Sequence, residues 1–261
     1  RYGDEIPSLT TDMLNEIYPY ASKKSKLNKD FLNIARQKTA ELQNGNERLS
    51  SIWTQMVRLS VKDIKNTFDR LNTTFDYWYG ESDSSQYVQK LLDILNNKGL
   101  LVESNGAKVV FVNEEDDNVE IPPVIIIKSN GSEGYDTTDV ATIIQREQDF
   151  HPDKIWYIVD HRQSLHFTQI FRVAKKANLI PDTTELTHLC FGTVNGKDGK
   201  PFKTRDGGVM KLSELLDSVT KCAYKNLRIS NDIDEVSRKQ TAEKIGIAAI
   251  KFGDLINHYS K

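Results

Sequence analysis

The chain has 261 residues, 38% of them hydrophobic and 28% charged, with a formal charge of -2 and a mean hydropathy of -0.53. That length supports one large or two small domains with a substantial core. The balance of 35 Lys plus Arg against 37 Asp plus Glu excludes a uniformly basic nucleic-acid coat, though not a local basic patch.

No run approaches the roughly 18 apolar residues of a membrane helix; the richest, Val124-Ile125-Ile126-Ile127, is strand-sized. Two cysteines, Cys190 and Cys222, and five histidines give neither a disulfide framework nor zinc-ligand spacing, so no structural metal is expected. No secretory leader opens the chain, and a reducing cytoplasm is the expected compartment. The start at Arg1-Tyr2-Gly3-Asp4 and the stop at His258-Tyr259-Ser260-Lys261, inside a helical pattern, read as a piece of something longer.

The first third reads as helical. Asn28 caps a helix carrying Phe31, Ile34, Ala35, Lys38 and Leu42, and Asn44-Gly45 stops it. A second helix carries Leu49, Ile52, Trp53, Met56, Val57, Ser60 and Ile64 at helical spacing, a face expected to be core. Lys23, Lys24, Lys26 and Lys29 read as a solvated face, with an RNA contact as the lesser alternative. Thr73–Tyr79, β-branched and aromatic, reads as a strand ending at Gly80-Glu81-Ser82. Tyr87–Leu95 is a helix, and Leu100–Ser104 and Ala107–Val112 form a hairpin around a primed Asn105-Gly106 turn. After an acidic loop (Glu114, Glu115, Asp116, Asp117) and Pro122-Pro123 comes the strand Val124–Lys128.

From Gly134 the pattern is strand–helix alternation. Thr137-Thr138-Asp139 can cap a helix running to Phe150. Ile155–Val159 reads as a parallel strand buried on both faces, followed by a helix through His166, Phe167, Ile170, Phe171, Val173 and Ala174, and by the strand Thr187–Val194. That is half of a doubly wound nucleotide-binding sheet, whose ligands belong at the carboxyl ends of the strands. Asp160-His161-Arg162-Gln163 and Asn195-Gly196-Lys197 lie at those ends.

Several segments carry candidate chemistry. The stretch from Asn195 to Gly208 places Lys197, Lys200, Lys203 and Arg205 in a glycine-rich loop after a strand, able to close on a polyphosphate. On composition alone a solvated hairpin tip fits equally well, and the loop is not a Walker motif. Tyr135 and Asp139 flank a helix start, where a carboxylate serves as a cap or accepts a guanidinium in a bidentate pair. Glu81 closes a strand, and Gln163 and His166 sit at the crevice; a histidine beside Phe167 and Ile170 is ordinarily a satisfied core residue. No Ser/His/Asp, Cys/His or His-Glu-x-x-His arrangement supports hydrolysis.

Taken together, Tyr135-Asp136-Thr137-Thr138-Asp139, then Tyr157 through Phe167, then Phe191-Gly192-Thr193-Val194 with Gly199 through Gly208, in this order and spacing, resemble arginyl-tRNA synthetases. Arg70-Leu71-Asn72-Thr73-Thr74-Phe75-Asp76 and Gly80-Glu81-Ser82 extend the resemblance to essentially the whole chain. It implies a class I catalytic core that activates L-arginine with ATP, and with Mg2+ accompanying the ATP, then transfers it to tRNA-Arg. By residue, it implies that Glu81, Tyr135, Asp139 and Gln163 line the arginine pocket. His166, Phe191, Gly192, Lys200, Phe202 and Lys203 would border ATP. Phe202-Lys203-Thr204-Arg205 stands in the place of the KMSKS loop, with Lys203 and Arg205 as the catalytic candidates. Two carboxylates and a phenol can saturate a five-donor guanidinium, and such a site should reject citrulline.

The other class I signature, His-Ile-Gly-His, is not in this sequence. The expectation is therefore a catalytic-core fragment nearly inactive in aminoacylation on its own. The expected fold is α/β, the second half of a class I Rossmann-type catalytic domain. Its parts are a helical insertion at 1–68, a strand returning to the active site at 69–82, a small α+β insertion at 83–130, the second Rossmann half with the KMSKS-like loop at 131–212, and a helical tail at 213–261. The alternative is a non-catalytic arginine- or nucleotide-binding module on the same fold. The strand at Ile155 should expose an edge or a face, hidden by self-association; a monodisperse monomer in sedimentation with a sharp melt would count against that.

Overall fold

Side-chain caps open the first three helices. The Thr10 hydroxyl accepts from the Met13 N–H (3.3 Å) ahead of α1 (Thr11–Leu27). The Asn28 carboxamide oxygen accepts from the Phe31 N–H (2.8 Å) ahead of α2 (Lys29–Gln43), and that of Asn46 accepts from the Leu49 N–H (3.1 Å) ahead of α3 (Glu47–Arg70). The structure, a computed structural model, describes residues 8–192, 211–227, 234–256 and 258. It divides into two units, Arg1–Phe75 with Lys211–Ile247 and Asp76–Met210 with Ala248–Lys261.

In the first unit α2 matches the expected helix. Helix α1, with Pro19 inside it, falls in the stretch that reads as helical, although the sequence sets no bounds for it. None of the three helices holds a fully buried residue. Trp53, Met56, Val57 and Ile64 stay 38–46% exposed, which corrects the expectation that this face of α3 is core. Helices α1 and α2 pack against α3 but leave these side chains partly open. The end of α3 is held by Arg70, whose Nε donates to Glu243 (2.9 Å) and whose Nη2 pairs with Asp217 (2.9 Å). These acids belong to α8 (Glu235–Leu255) and α7 (Leu212–Asn226).

Helices α7 and α8 touch through Gly246. A Cβ there would lie 3.0 Å from the Thr220 N and 3.1 Å from the Val219 carbonyl carbon, both rigid backbone atoms. Gly246→Ala should therefore cost about 1–3 kcal/mol by overpacking. Gly253→Ala in the same helix meets nothing within 4 Å and should be neutral or gain up to about 1 kcal/mol from helix propensity. Urea unfolding of both variants checks the opposite signs.

In the second unit, the expected strand Thr73–Tyr79, which spans the unit boundary, is not formed. With no strand beside it among the described residues, its aromatic residues pack ring on ring: Phe75 meets Phe68 edge-on at 4.7 Å within the first unit, and Tyr77 contacts Tyr79 at 5.6 Å and Phe150 at 4.9 Å within the second. A 3-10 turn (Glu81–Tyr87) leads into α4 (Val88–Asn97). The hairpin β1 (Val102–Ser104) and β2 (Ala107–Val110) turns at Asn105 and Gly106, with φ of 51° and 76° as a type I′ turn requires. Strand β3 (Val124–Ile127) completes an antiparallel sheet in the order β1-β2-β3.

Helix α5 (Tyr135–Phe150) begins at a Gly134 cap, earlier than the expected Thr137–Asp139 cap. Strands β4 (Lys154–Asp160) and β5 (Glu185–Phe191) pair in parallel from Lys154↔Glu185 to Asp160↔Phe191, connected through α6 (Ser164–Lys176). Ile155 and Tyr157 are buried, but Trp156 is 60% and Ile158 68% exposed. The expectation of a strand buried on both faces is thus corrected, while that of an exposed face holds. One buried cluster joins Leu91 of α4, Val110 of β2, Ile126 of β3, Ile143 of α5 and Ile170 of α6, so segments 83–130 and 131–192 share a core.

Helix α6 also pins the acidic loop. The Arg172 guanidinium donates from Nη1 and Nη2 to both carboxylate oxygens of Asp117 (2.7 and 2.6 Å) and from Nη1 to the Val112 carbonyl (3.0 Å). The Arg172 hydrogen bonds, with the Glu114 N–H donating to Asp117 Oδ2 (2.8 Å), hold the Asp117 carboxyl at about 2, below the usual carboxylate range.

Candidate functional site

The parallel pair β4–β5 ends at Asp160 and Phe191, and at this edge a 3-10 turn (His161–Gln163) feeds α6. The first turn of α5 carries Tyr135, Asp136, Thr138 and Asp139. Asp136 and Asp139, three residues apart, share one helix face, and His166 of α6 meets them both. Its Nε2 lies 2.7 Å from Asp139 Oδ2 and its Nδ1 3.0 Å from Asp136 Oδ1. The Tyr135 ring stands 5.1 Å from the imidazole and the Phe167 ring meets it edge-on at 5.1 Å. The Thr138 hydroxyl donates to Glu81 Oε1 (2.9 Å), tying the Glu81 turn to the start of α5.

With a carboxylate on each nitrogen, the imidazole donates from both and is cationic. Burial pulls its pKa down, but the hydrogen bonds and charges of Asp136 and Asp139 outweigh that and raise it to about 9. The His166 side chain is 11% exposed, whereas Asp139 keeps 37% open. The site therefore presents the remaining Asp139 oxygen, the Glu81 carboxylate and the exposed Tyr135 phenol around a buried imidazolium. One cation against three carboxylates leaves net negative charge, suited to a cationic ligand group.

Of the expected arginine-pocket residues, Tyr135, Asp139 and, through Thr138, Glu81 come together. Gln163 is exposed in its turn and makes no side-chain hydrogen bond among the described residues. His166, expected beside ATP, bridges Asp136 and Asp139. Phe191 is 43% exposed, and its carbonyl lies 3.3 Å from His161 Nδ1; Gly192 follows it at the strand end. Lys197, Lys200, Phe202, Lys203 and Arg205 lie outside the described residues. Asp136 was missed as a site residue, although its spacing from Asp139 on one helix face was the available signal. Arg162 turns back on its own neighbour, donating from Nε and Nη2 to Asp160 (2.9 and 2.7 Å), which holds the Asp160 carboxyl well below its usual range.

Residues 3–260 match the sequence model of the family described as tRNA synthetases class I (R), catalytic domain. The arginine–tRNA ligase of Agathobacter rectalis is 44% identical over 266 residues, covering 100% of this chain and 44% of that protein. That of Alkaliphilus oremlandii is 44% identical over 260 residues, with coverage of 100% and 44%. Among solved structures, the arginyl-tRNA synthetase of Plasmodium falciparum superposes with a TM-score of 0.73 at 28% identity, over 92% of this chain and 40% of that one. Thermus thermophilus arginyl-tRNA synthetase shares the fold, with a TM-score of 0.58 at 19% identity over 90% of this chain and 43% of that one. The chain spans less than half the length of these relatives. The class I α/β fold expected from the sequence is thereby confirmed, and the chain belongs to the catalytic-domain family of class I (R) tRNA synthetases.

Proposed function

We propose that the chain is the arginine-selecting part of an arginine–tRNA ligase. Such an enzyme lets the arginine carboxylate attack the α-phosphorus of ATP, releasing pyrophosphate, and then passes the arginyl group to the terminal ribose of tRNA-Arg. The observation that supports this is the meeting of Tyr135, Asp139 and His166 beside the Thr138–Glu81 hydrogen bond. In this reading Asp139 and Glu81 accept the guanidinium, Tyr135 closes over it, Gln163 completes the pocket, and His166 holds the Asp139 carboxylate in place. Phe191 and Gly192 border the nucleotide, with Lys200 and Phe202. Lys203 and Arg205 neutralise the pyrophosphate as it leaves.

Mg2+ would arrive on the ATP phosphates, where it keeps phosphate and water ligands. Among the described residues no three His, Cys, Asp or Glu side chains gather to hold a metal themselves. Among the same residues no helix is long and apolar enough to cross a membrane, and the cytoplasm is the compartment of this reading. Self-association of the chain would cover Trp156 and Ile158.

Calorimetric titration with L-arginine, with citrulline as the control, tests the pocket. Citrulline has nearly the shape of arginine but no charge, and would leave the carboxylates unpaired. Arginine should bind at least tenfold more tightly than citrulline, and Asp139→Asn should lose about 1.5–3 kcal/mol, or roughly 10- to 150-fold. Equal binding of the two ligands, or an unchanged affinity in Asp139→Asn, would overturn the assignment.

A further inference from the structure

Asp136 stands one step behind the pocket residues. Its Oδ1 lies 3.0 Å from His166 Nδ1, while Asp139 Oδ2 lies 2.7 Å from Nε2, so the imidazole is clamped between two carboxylates of one helix face. The Asp136 side chain is 25% exposed and that of His166 11%. A neutral imidazole has one N–H and one lone pair. In this clamp, whichever nitrogen gave up its proton would turn a lone pair on an anionic oxygen. The two acids therefore fix the number of ring protons as well as their positions, with each N–H donating to its own carboxylate.

The other titratable groups on the elements packed against α6 meet other partners. On α5 the Tyr135 ring borders the imidazole, and Glu81 reaches the same helix turn through Thr138. His188 of β5 lies across the Phe167 ring from His166, with its Nε2 3.0 Å from the Val159 carbonyl. Tyr157 of β4 also packs on Phe167 and has the Arg146 guanidinium of α5 over its ring. In the 3-10 turn Arg162 pairs with Asp160, and His161 lies against the Phe191 carbonyl. Strand β3 brings only the aliphatic residues of Val124–Ile127. Farther along α6, Arg172 is taken by Asp117.

We propose that Asp136 is a positioning residue for guanidinium selection: acting through His166, it locks the second ring proton in place and so gives the pocket one charge and one Asp139 orientation throughout the neutral range. This rests on the arginine-pocket reading. The imidazolium and its two carboxylates together carry a single negative charge, which a guanidinium neutralises. The raised imidazole pKa of about 9 agrees with such a lock. Removing one of two neighbouring opposite charges lowers a pKa by about 1–3 pH units, which would bring this one to about 6–8. In Asp136→Asn the amide can accept from Nδ1–H or donate to a bare Nδ1, so it accommodates either state. The trio is then neutral while the imidazole is charged. It regains its negative charge when Nδ1 loses its proton and Nε2–H stays on Asp139. A guanidinium at Asp139 favours the second state, in which it faces no imidazolium.

The test combines nitrogen NMR of the histidine-labelled full chain with calorimetric titration of L-arginine and citrulline at pH 5.5 and pH 8, for wild type and Asp136→Asn. Titration of the ligand's own amino group is common to both proteins and cancels. Without ligand, both His166 ring nitrogens of wild type should show imidazolium shifts at pH 8, a readout that needs no variant. Asp136→Asn should titrate between the two pH values. Wild type should bind arginine with the same affinity at both, within about twofold. Relative to it, the variant should gain roughly three- to tenfold from pH 5.5 to pH 8, as expected for two charges about 7 Å apart near a protein surface. A lone pair on either nitrogen of wild-type His166 at pH 8 overturns the proposal. A loss of arginine affinity that is equal at both pH values is what a merely structural role would give, and overturns it as well. Where wild type prefers arginine over citrulline, these failures leave the pocket reading standing. Absent arginine binding, or equal binding of arginine and citrulline by wild type, sinks the pocket reading itself and the role of Asp136 with it.

Discussion

Ile143→Ala should remove about 3–5 kcal/mol of stability, the upper part of the range for truncating a buried aliphatic side chain. Ile143 is completely buried on α5, in the cluster that also holds Leu91 of α4, Ile126 of β3 and Ile170 of α6. The lost transfer energy therefore combines with a cavity whose walls come from several elements and cannot all relax inward. Ile158→Ala is the matched control, with the same atoms removed from a side chain that is 68% exposed; it should stay within about 0.5 kcal/mol of wild type. Urea unfolding followed by tryptophan fluorescence and circular dichroism gives both numbers. Similar losses in the two variants would mean that the outward face of β4 is covered in solution. Because Asp139 lies one helical turn before Ile143, the destabilised variant should also hold the Asp139–His166 contact less firmly.

The contrast between those two isoleucines shows where the sequence is readable. Features decided within a few residues come through: Asn28 as a cap, Asn105-Gly106 as a primed turn, the helical stripe of α6, the apolar run of β4. Each is fixed by a local hydrogen bond, a left-handed backbone or a periodicity. Burial of the outer side of β4 depends on what stands beside the sheet, and no local pattern carries that information. Thr73–Tyr79 fails for the same reason, since β-branched and aromatic residues favour a strand only where another strand is there to pair with.

The candidate site divides along the same line. Tyr135 and Asp139 can be read from their place at a helix start and from the family resemblance. The partnership of His166 is set by the packing of α5 against α6, which brings together residues 27 and 30 positions apart in the sequence. His166 therefore reads as a satisfied core residue or a neighbour of ATP, while its two carboxylate partners emerge only from the fold. Asp136 is overlooked with it, since a carboxylate in the first turn of a helix already has a sufficient role in favouring the dipole.

That buried imidazolium predicts a dependence of stability on pH opposite to the usual carboxylate case. Its folded pKa of about 9 lies above the 6.5 of the free side chain, so the folded state holds the proton more tightly than the unfolded chain. The stabilisation is complete below about pH 6.5, declines as the pH rises, and is gone once the pH has passed through about 9. A shift of this size corresponds to roughly 3 kcal/mol at most; because Asp139 is 37% exposed, screening brings the expected fall to about 2–3 kcal/mol. Urea midpoints at pH 6.5 and pH 9.5 should move together for wild type and His166→Gln in everything except this contribution, since the other groups titrating in that window are common to both. Wild type should be the more stable protein at pH 6.5, and the difference between the two should close by pH 9.5. A difference that stays constant across the window would show that the folded protein takes up no extra proton at His166, and would overturn the raised imidazole pKa.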